Sequence, residues 1–395
     1  MNIRKLSALI CSLSLLIFGC GEENSYDPIS NDGKAPASVT LVETVALPGA
    51  AEIRFGTPSD PDLLYVKAVY SHDGGKTQNE VKASLYDRKL LIQGFGEVKE
   101  YKIKLYAVDR GENESKPLEV SVTPLEAPVY RVAKSVKMIE DFGGVRYTWD
   151  NEDQAPVIVS IFAQDTLGRM ENVETIYTDD AEGMYNIRGY DPDPIRVAVL
   201  VRDRWDNFSD TIKVEGETLT PLFEEQFDRK LYKPLNLDND PDWNAWEGNE
   251  KNSFDGDINT FNHTWAGSGW PATITMDLGQ TVKLSRFRLW QRQNFPYYHG
   301  NLKRYEIFGR LDEPPMDGSW DGWIKLRDCE SRKPSGLPGT QETNEDVAHR
   351  KAGDEFSIPL EASNVRYIRL KITETWGGTT FCHFSEIAFY GRKVE

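Results

Sequence analysis

The chain has 395 residues, with 46 Lys or Arg against 63 Asp or Glu, a formal net charge of −17. A surface of that sign repels a phosphate backbone, so nucleic acid is excluded as a partner. The length allows about two to four domains. Glycine and proline punctuate short apolar runs and no long amphipathic helical pattern stands out, which points to a mainly β class.

Residues 1–20 read as a targeting segment. Arg4 and Lys5 precede an apolar stretch from Leu6 to Phe18 that is too short to span a bilayer. It ends Ile17-Phe18-Gly19-Cys20, which resembles a bacterial lipobox. That resemblance implies lipidation at Cys20 and membrane attachment through the lipid. Gly21-Glu22-Glu23-Asn24 resembles the surface-export signal of Bacteroidetes-type lipoproteins, which implies an outward-facing outer-membrane protein. Residues 21–33 are polar and turn-rich and read as a tether.

An internal repeat follows, in units at 34–125 and 126–222. Gly49-Ala-Ala-Glu-Ile-Arg-Phe55 aligns with Gly143-Gly-Val-Arg-Tyr-Thr-Trp149, and 143 − 49 = 94. Val108-Asp-Arg-Gly-Glu-Asn-Glu-Ser115 aligns with Arg202-Asp-Arg-Trp-Asp-Asn-Phe-Ser209 at the same offset, 203 − 109 = 94. A period of this size is a domain repeat rather than a solenoid. Tyr101-Lys-Ile-Lys-Leu-Tyr-Ala-Val108 alternates apolar and polar, and short strands at such spacing predict a β-sandwich. Its Tyr101…Ala-Val-Asp…Asn-x-Ser pattern resembles the last strands of a fibronectin type III domain, which implies a tyrosine corner at Tyr101. Ile195 stands at that place in the second unit. Trp149 and Trp205 read as packing residues.

The third unit spans 223–395. Phe223, Phe227 and Leu231 lie at helical spacing and are expected to form a short helix. Asp255-Gly-Asp-Ile-Asn-Thr260 sets two carboxylates and a hydroxyl on a tight turn, oxygen chemistry that suits a hard cation. Strands are expected at Ala272–Gly279, Val282–Trp290, Arg304–Phe308, Trp323–Leu326 and Val365–Thr373. In the last, Ile368, Leu370 and Ile372 should face one side, with Arg369 and Lys371 on the other. Asp255-Gly-Asp-x-x-Thr260, the strand ending Asp277-Leu-Gly279, Val365–Lys371 and Ser385-Glu-Ile-Ala-Phe-Tyr-Gly391 together resemble a coagulation factor 5/8 type C (discoidin) domain. That resemblance implies a galactose-binding-like jelly roll. It also implies a structural calcium ion held by Asp255, Asp257, Thr260 and Glu386, with backbone oxygens near Asn252 and Ser385. The expected fold class is thus two tandem fibronectin III-like sandwiches followed by a discoidin-like sandwich.

Aromatic and polar residues on loops of this unit are candidates for sugar contact, since rings stack on C–H faces and polar groups meet hydroxyls. They are His263, Trp265, Trp270, Arg292, Tyr298, His299 and Trp376. The family often has tryptophan before the histidine, and Asn262 stands there instead. Cys329 and Cys382 remain after Cys11 leaves with the signal and Cys20 takes lipid; a disulfide between them and two separate buried thiols are both open. His72, His263, His299, His349 and His383 fall in no zinc or triad motif, and no G-x-S-x-G occurs, so no enzymatic activity is expected.

The whole arrangement resembles lipoproteins of Bacteroidetes glycan-utilisation systems, which implies a glycan ligand and a place beside a SusC/SusD-type import complex. The competing expectation is a structural or protein-binding spacer with no sugar site. Exposed loop tryptophans favour the first, and buried ones the second.

Overall fold

The computed structural model describes residues 33–394; the targeting segment, Cys20 and the tether before Gly33 lie outside the described residues. The chain is mainly β. Its first unit comprises β1 (Thr40–Leu47), β2 (Ala50–Gly56), β3 (Leu63–Tyr70), β4 (Asn79–Ser84), β5 (Lys89–Gln93), β6 (Tyr101–Asp109) and β7 (Leu118–Val122). They form two antiparallel sheets, β1-β2-β5 and β4-β3-β6-β7. Along β6, Tyr101, Ile103, Leu105 and Ala107 are buried while Lys102 and Lys104 are exposed, as period-two alternation requires. Tyr101 packs on Phe95, and its hydroxyl accepts the Glu97 N–H at 3.4 Å, just upstream.

The second unit opens with a short helix, α1 (Pro128–Ser135), that the sequence reading did not anticipate. Pro128 stands in its first turn, where no N–H is needed, and Val129 and Val132 are buried. The sheets β12-β9-β8 and β11-β10-β13-β14 follow, from β8 (Lys137–Asp141), β9 (Gly144–Asp150), β10 (Val157–Gln164), β11 (Met170–Thr178), β12 (Glu182–Arg188), β13 (Val197–Arg202) and β14 (Ile212–Lys213).

The repeat has a physical basis. Asp109 Oδ1 accepts the Asn113 N–H and Oδ2 accepts its Nδ2, at 2.9 and 3.0 Å. Asp203 and Asn207 make the same pair at 3.1 and 2.8 Å. Ser115 Oγ accepts the Ala107 N–H and Ser209 Oγ accepts that of Val201, both at 3.0 Å. Glu112 and Asp206, at matching positions, both adopt φ 60°.

The third unit contains β15 (Glu225–Gln226), β16 (Lys233–Pro234), β17 (Ala272–Trp290), β18 (Leu302–Arg310), β19 (Ile324–Glu330), α2 (Asn344–Ala352), β20 (Asp354–Ser357), β21 (Val365–Thr375) and β22 (Glu386–Lys393). The 19-residue β17 organises it. Ala272–Asp277 pairs with β21, then the register breaks and Val282–Trp290 pairs with β22. Its core includes Trp243, Ile274, Phe287, Ile307, Leu370 and Phe389.

One expectation is corrected. Phe223, Phe227 and Leu231 form no α-helix: Phe227 is in the core, its N–H bonded to the Phe389 carbonyl beside β15, while Phe223 and Leu231 are exposed. Sheet pairing with β22 outweighs the helical spacing. Arg369 lies on the face opposite Ile368, Leu370 and Ile372, as expected, and that face is covered. It is fully buried, ion-paired to Asp240 at 2.8 Å and stacked on Trp320, because the segments at 237–240 and 316–320 cover that face. Cys329 and Cys382 are both buried free thiols, not a disulfide. Cys329 sits on β19 opposite Tyr305, while Cys382 lies in a connection held by Thr264.

Candidate functional site

Three connections of the third unit are stitched together by backbone and amide hydrogen bonds. The segment 243–249 runs alongside 261–263: the His263 N–H donates to the Trp243 carbonyl, and the N–H groups of Ala245 and Asn249 donate to His263 and Phe261. Gly248 closes this approach, since a Cβ there would lie 2.8 Å from the His263 nitrogen. Asn262 has a structural role: its amide donates to Ser253 Oγ at 2.8 Å and accepts the Phe384 N–H at 3.0 Å. Asn301, fully buried, organises the second connection by accepting the Arg292 N–H at 2.7 Å and donating to the Phe295 carbonyl at 2.5 Å. The third connection joins it through the His383 N–H on the Gly300 carbonyl.

These connections enclose an open pocket of about 810 Å³. Phe261, Phe295 and Phe381 line its inner part with His263, His299 and Arg292, and Trp246, Glu247, Trp265 and Ala266 complete it. The Arg292 guanidinium lies 3.4 Å from the Phe261 ring centroid and 4.9 Å from that of Phe295. Its Nε is buried with no hydrogen-bond partner.

The imidazoles have assignable tautomers. The Thr264 carbonyl, 2.7 Å from His263 Nδ1, requires a proton there and leaves His263 Nε2 as an acceptor. The Gly300 N–H donates to His383 Nε2, so the His383 proton sits on Nδ1 and faces Asn301 Oδ1 at 3.2 Å. His299 Nδ1, 3.2 Å from His383 Nε2, is then the donor, and His299 Nε2 is the second free acceptor. Burial, and then the neighbouring Arg292 charge, holds His299 below its ordinary pKa. Burial lowers His263 as well, and it lowers His383 furthest, with His263, Arg292 and His299 adding to the effect. All three are neutral near pH 7. His263, His299 and His383 are also a cluster in which one nitrogen each lies within 4.8 Å of the others. The Gly300 donor on His383 and the Arg292 cation beside the cluster oppose a metal ion there.

The pocket thus brings together His263, Trp265, Arg292 and His299 from the sequence-based candidates. Trp270, Tyr298 and Trp376 lie outside its lining. Trp270 and Tyr298 are exposed. Trp376 is half-buried edge-on to Tyr297, its Nε1 3.4 Å from Ser331 Oγ. The small residue after it serves the backbone, because a Cβ on Gly377 would lie 2.6 Å from the His299 carbonyl oxygen. Sequence reasoning missed Trp246, Glu247, Phe261, Phe295, Phe381 and the supporting His383. The pairing of an aromatic with a nearby glycine at Trp246-Glu-Gly248 was the available signal.

Of the candidate calcium ligands, Asp255 and Thr260 are joined within one turn, and the backbone of that turn meets Glu386. Thr260 Oγ donates to Asp255 Oδ2 at 2.8 Å, Asp257 Oδ1 accepts from Asn259, and the Gly256 N–H donates to Glu386 Oε2 at 2.7 Å. Glu386 Oε1 and Ser385 Oγ are buried without hydrogen-bond partners. Arg229 Nε approaches Glu386 Oε1 at 3.5 Å. Asn252 turns its amide Nδ2 onto the Phe261 carbonyl.

Three family models match the chain. A domain of unknown function (DUF4959) covers residues 36–124, another (DUF5126) covers 125–230, and a third domain of unknown function covers 250–391. No curated protein matches. Among solved structures, a family 32 carbohydrate-binding module of a family 31 glycoside hydrolase from Clostridium perfringens is 20% identical over 42% of this chain and 95% of its own, with TM-score 0.33. A two-domain fibronectin type III segment of chicken tenascin is 15% identical over 46% of this chain and 98% of its own, with TM-score 0.23. A SusE-like protein is 34% identical over 68% of this chain and 100% of its own, with TM-score 0.44. At that identity along the full length of the relative, the chain belongs to the family of SusE-like proteins.

Proposed function

We propose that the protein binds glycan, without catalysis, in the pocket built from His263, Arg292 and His299. One observation carries this reading: neutral acceptor nitrogens and a guanidinium lacking a partner at Nε sit together among exposed and half-buried rings. A sugar hydroxyl both donates and accepts. It would donate to His263 Nε2 or His299 Nε2 and accept from Arg292, while Phe295 or Phe381 packs on an apolar ring face. The exposure of Trp246 and Trp265 favours this over the spacer reading. Calorimetry on the purified chain from residue 21, against plant and host oligosaccharides, should show binding with dissociation constants on the order of micromolar to millimolar. His263→Ala and Arg292→Ala should each weaken it tenfold or more, while Trp376→Ala leaves it unchanged. Binding that survives both pocket changes would place the site elsewhere, and no glycan binding at all would favour the spacer.

The same reading includes a calcium ion. The support is the buried Ser385 Oγ, which lacks a hydrogen-bond partner, and the buried Glu386 carboxylate, which meets the backbone of the turn carrying Asp255 and Thr260; calcium would have to displace Arg229 from Glu386. Bound there, calcium would supply only charge and cross-linking, tying the Asp255 turn to the start of β22. The lipobox ending in Cys20 and membership of the SusE-like family support a lipid-anchored place at the outer-membrane surface, beside an import complex.

A further inference from the structure

The proposed sugar pocket is graded from inside to outside. Its inner part sets fixed polar groups among Phe261, Phe295 and Phe381: His263 is 4% exposed, and the supporting His383 is fully buried. Its outer wall is apolar and open, with Trp246 73% exposed and Trp265 47% exposed, their ring centroids 5.5 Å apart at 38°. Trp246 is also a left-handed residue, at φ 56°. A bulky side chain in that region is uncommon and costs backbone energy. The hydrogen bond from the Gly248 N–H to the Ala245 carbonyl and the zipper to His263 hold it there. A large ring is therefore kept in water, on a strained turn, beside an existing pocket. Burial cannot explain that arrangement. Nor does a single ring account for the space, since about 810 Å³ lies in the upper part of the range that drug-sized ligands fill, about 300–1,000 Å³.

We infer that Trp246 and Trp265 form a second sugar subsite, so the ligand is an oligosaccharide taken by its end. The terminal ring enters the inner part, against His263, His299 and Arg292. The next ring lies over the two indoles, which offer flat apolar surface and, at their outer edges, no fixed polar partner. The inner part selects the terminal sugar by its hydroxyls. The outer part reads the presence of a second ring with less regard to its identity. This inference rests on the glycan-binding reading above.

The test is calorimetry on the purified chain from residue 21, with galactose, glucose, mannose and N-acetylglucosamine and with lactose, cellobiose, mannobiose and chitobiose. The disaccharide carrying the preferred terminal sugar should bind at least tenfold more tightly than that monosaccharide. Trp246→Asn keeps the left-handed turn, because asparagine tolerates it. This variant, and Trp265→Ala separately, should remove most of that gain, costing the disaccharide at least fivefold more affinity than the monosaccharide. His263→Ala should abolish both. Equal affinity for the monosaccharide and its disaccharide, or a gain untouched by both tryptophan changes, overturns the second subsite while the pocket stands. Absence of binding by every sugar overturns the pocket reading and the inference together. An unchanged melting temperature for Trp246→Asn separates a lost surface from a lost fold.

Discussion

At the scale of single residues, the chemistry of the pocket depends on imidazoles being kept neutral. Burial and the Arg292 charge lower the histidine pKa values below the ordinary 6.5, most of all for His383. A folded-state pKa below the unfolded one means that the unfolded chain takes the proton first. The stability contribution is therefore complete above about pH 6.5 and is lost as pH falls below it. Binding should follow the same direction, because protonation removes the His263 and His299 acceptors and sets charge against Arg292. Calorimetric affinity should be flat from pH 8 to about 6.5 and fall at more acid pH, and His383→Asn should blunt the accompanying loss of thermal stability. Affinity that rises on acidification would contradict neutral acceptors. Four of the ten residues that line this pocket were legible in the sequence. His263, Trp265, Arg292 and His299 stood out as polar and aromatic residues on glycine-rich connections. Trp376 stood out for the same reason and lies outside this pocket's lining, and Gly377 makes room for the His299 backbone. His383 carried no signal, because its part in the site depends on Asn301 and Gly300, more than eighty positions away.

At the scale of elements, period-two alternation located β6, β17 and β21, and the constant offset located the two sandwich units. What it could not supply was which outer faces are covered. Arg369 alternates as a solvent-facing residue should, yet Asp240, Asn239 and the Gly318 carbonyl meet it in a buried layer. Breaking such a pair from one side leaves an uncompensated buried charge. Likewise Phe223, Phe227 and Leu231 have helical spacing, but an unpaired edge of β22 gives that segment a better use for its backbone. The turn at Asp255–Thr260 and the start of β22 are far apart in sequence and joined at Glu386, so an ion there would clamp the two ends of the domain. Saturating calcium should raise the melting temperature of the chain from residue 21, and excess chelator should lower it. At a hundredfold excess over the dissociation constant, mass action contributes about 2.7 kcal/mol. Glu386→Gln should abolish the response. The same melting curve with calcium and with chelator would mean that Arg229 alone answers the Glu386 carboxylate.

At the scale of the whole molecule, the three units are joined by contacts that resist bending. Between the first and second units, Trp205 lies against Gly94 and edge-on to His72, and Asn207 Nδ2 donates to the Gly94 carbonyl at 3.3 Å. Between the second and third, Glu224 accepts from Arg188 at 3.2 Å, from Ser285 at 2.5 Å and from Arg286 at 2.8 Å. Glu355 meets Arg286 and Arg288 from the other side, at 2.7 and 2.5 Å. Arg188, Glu224 and Arg286 are nearly buried, so salt screens this network little. Among the described residues no helix is long and apolar enough to cross a membrane. On the proposed reading, attachment falls to Cys20 of the lipobox, which two sandwich units separate in the sequence from the unit that holds the pocket. A single acyl chain binds membranes only marginally, and stable anchoring takes more than one. Cys20→Ala should therefore move the protein from the membrane fraction to the soluble fraction of cells that make it. The glycan affinity of the released protein should equal that of the purified chain from residue 21, because no described contact links the pocket to the N-terminal end. Quantitative retention of the variant on membranes would remove the lipid anchor. Release accompanied by lost glycan affinity would mean that the N-terminal segment reaches the pocket.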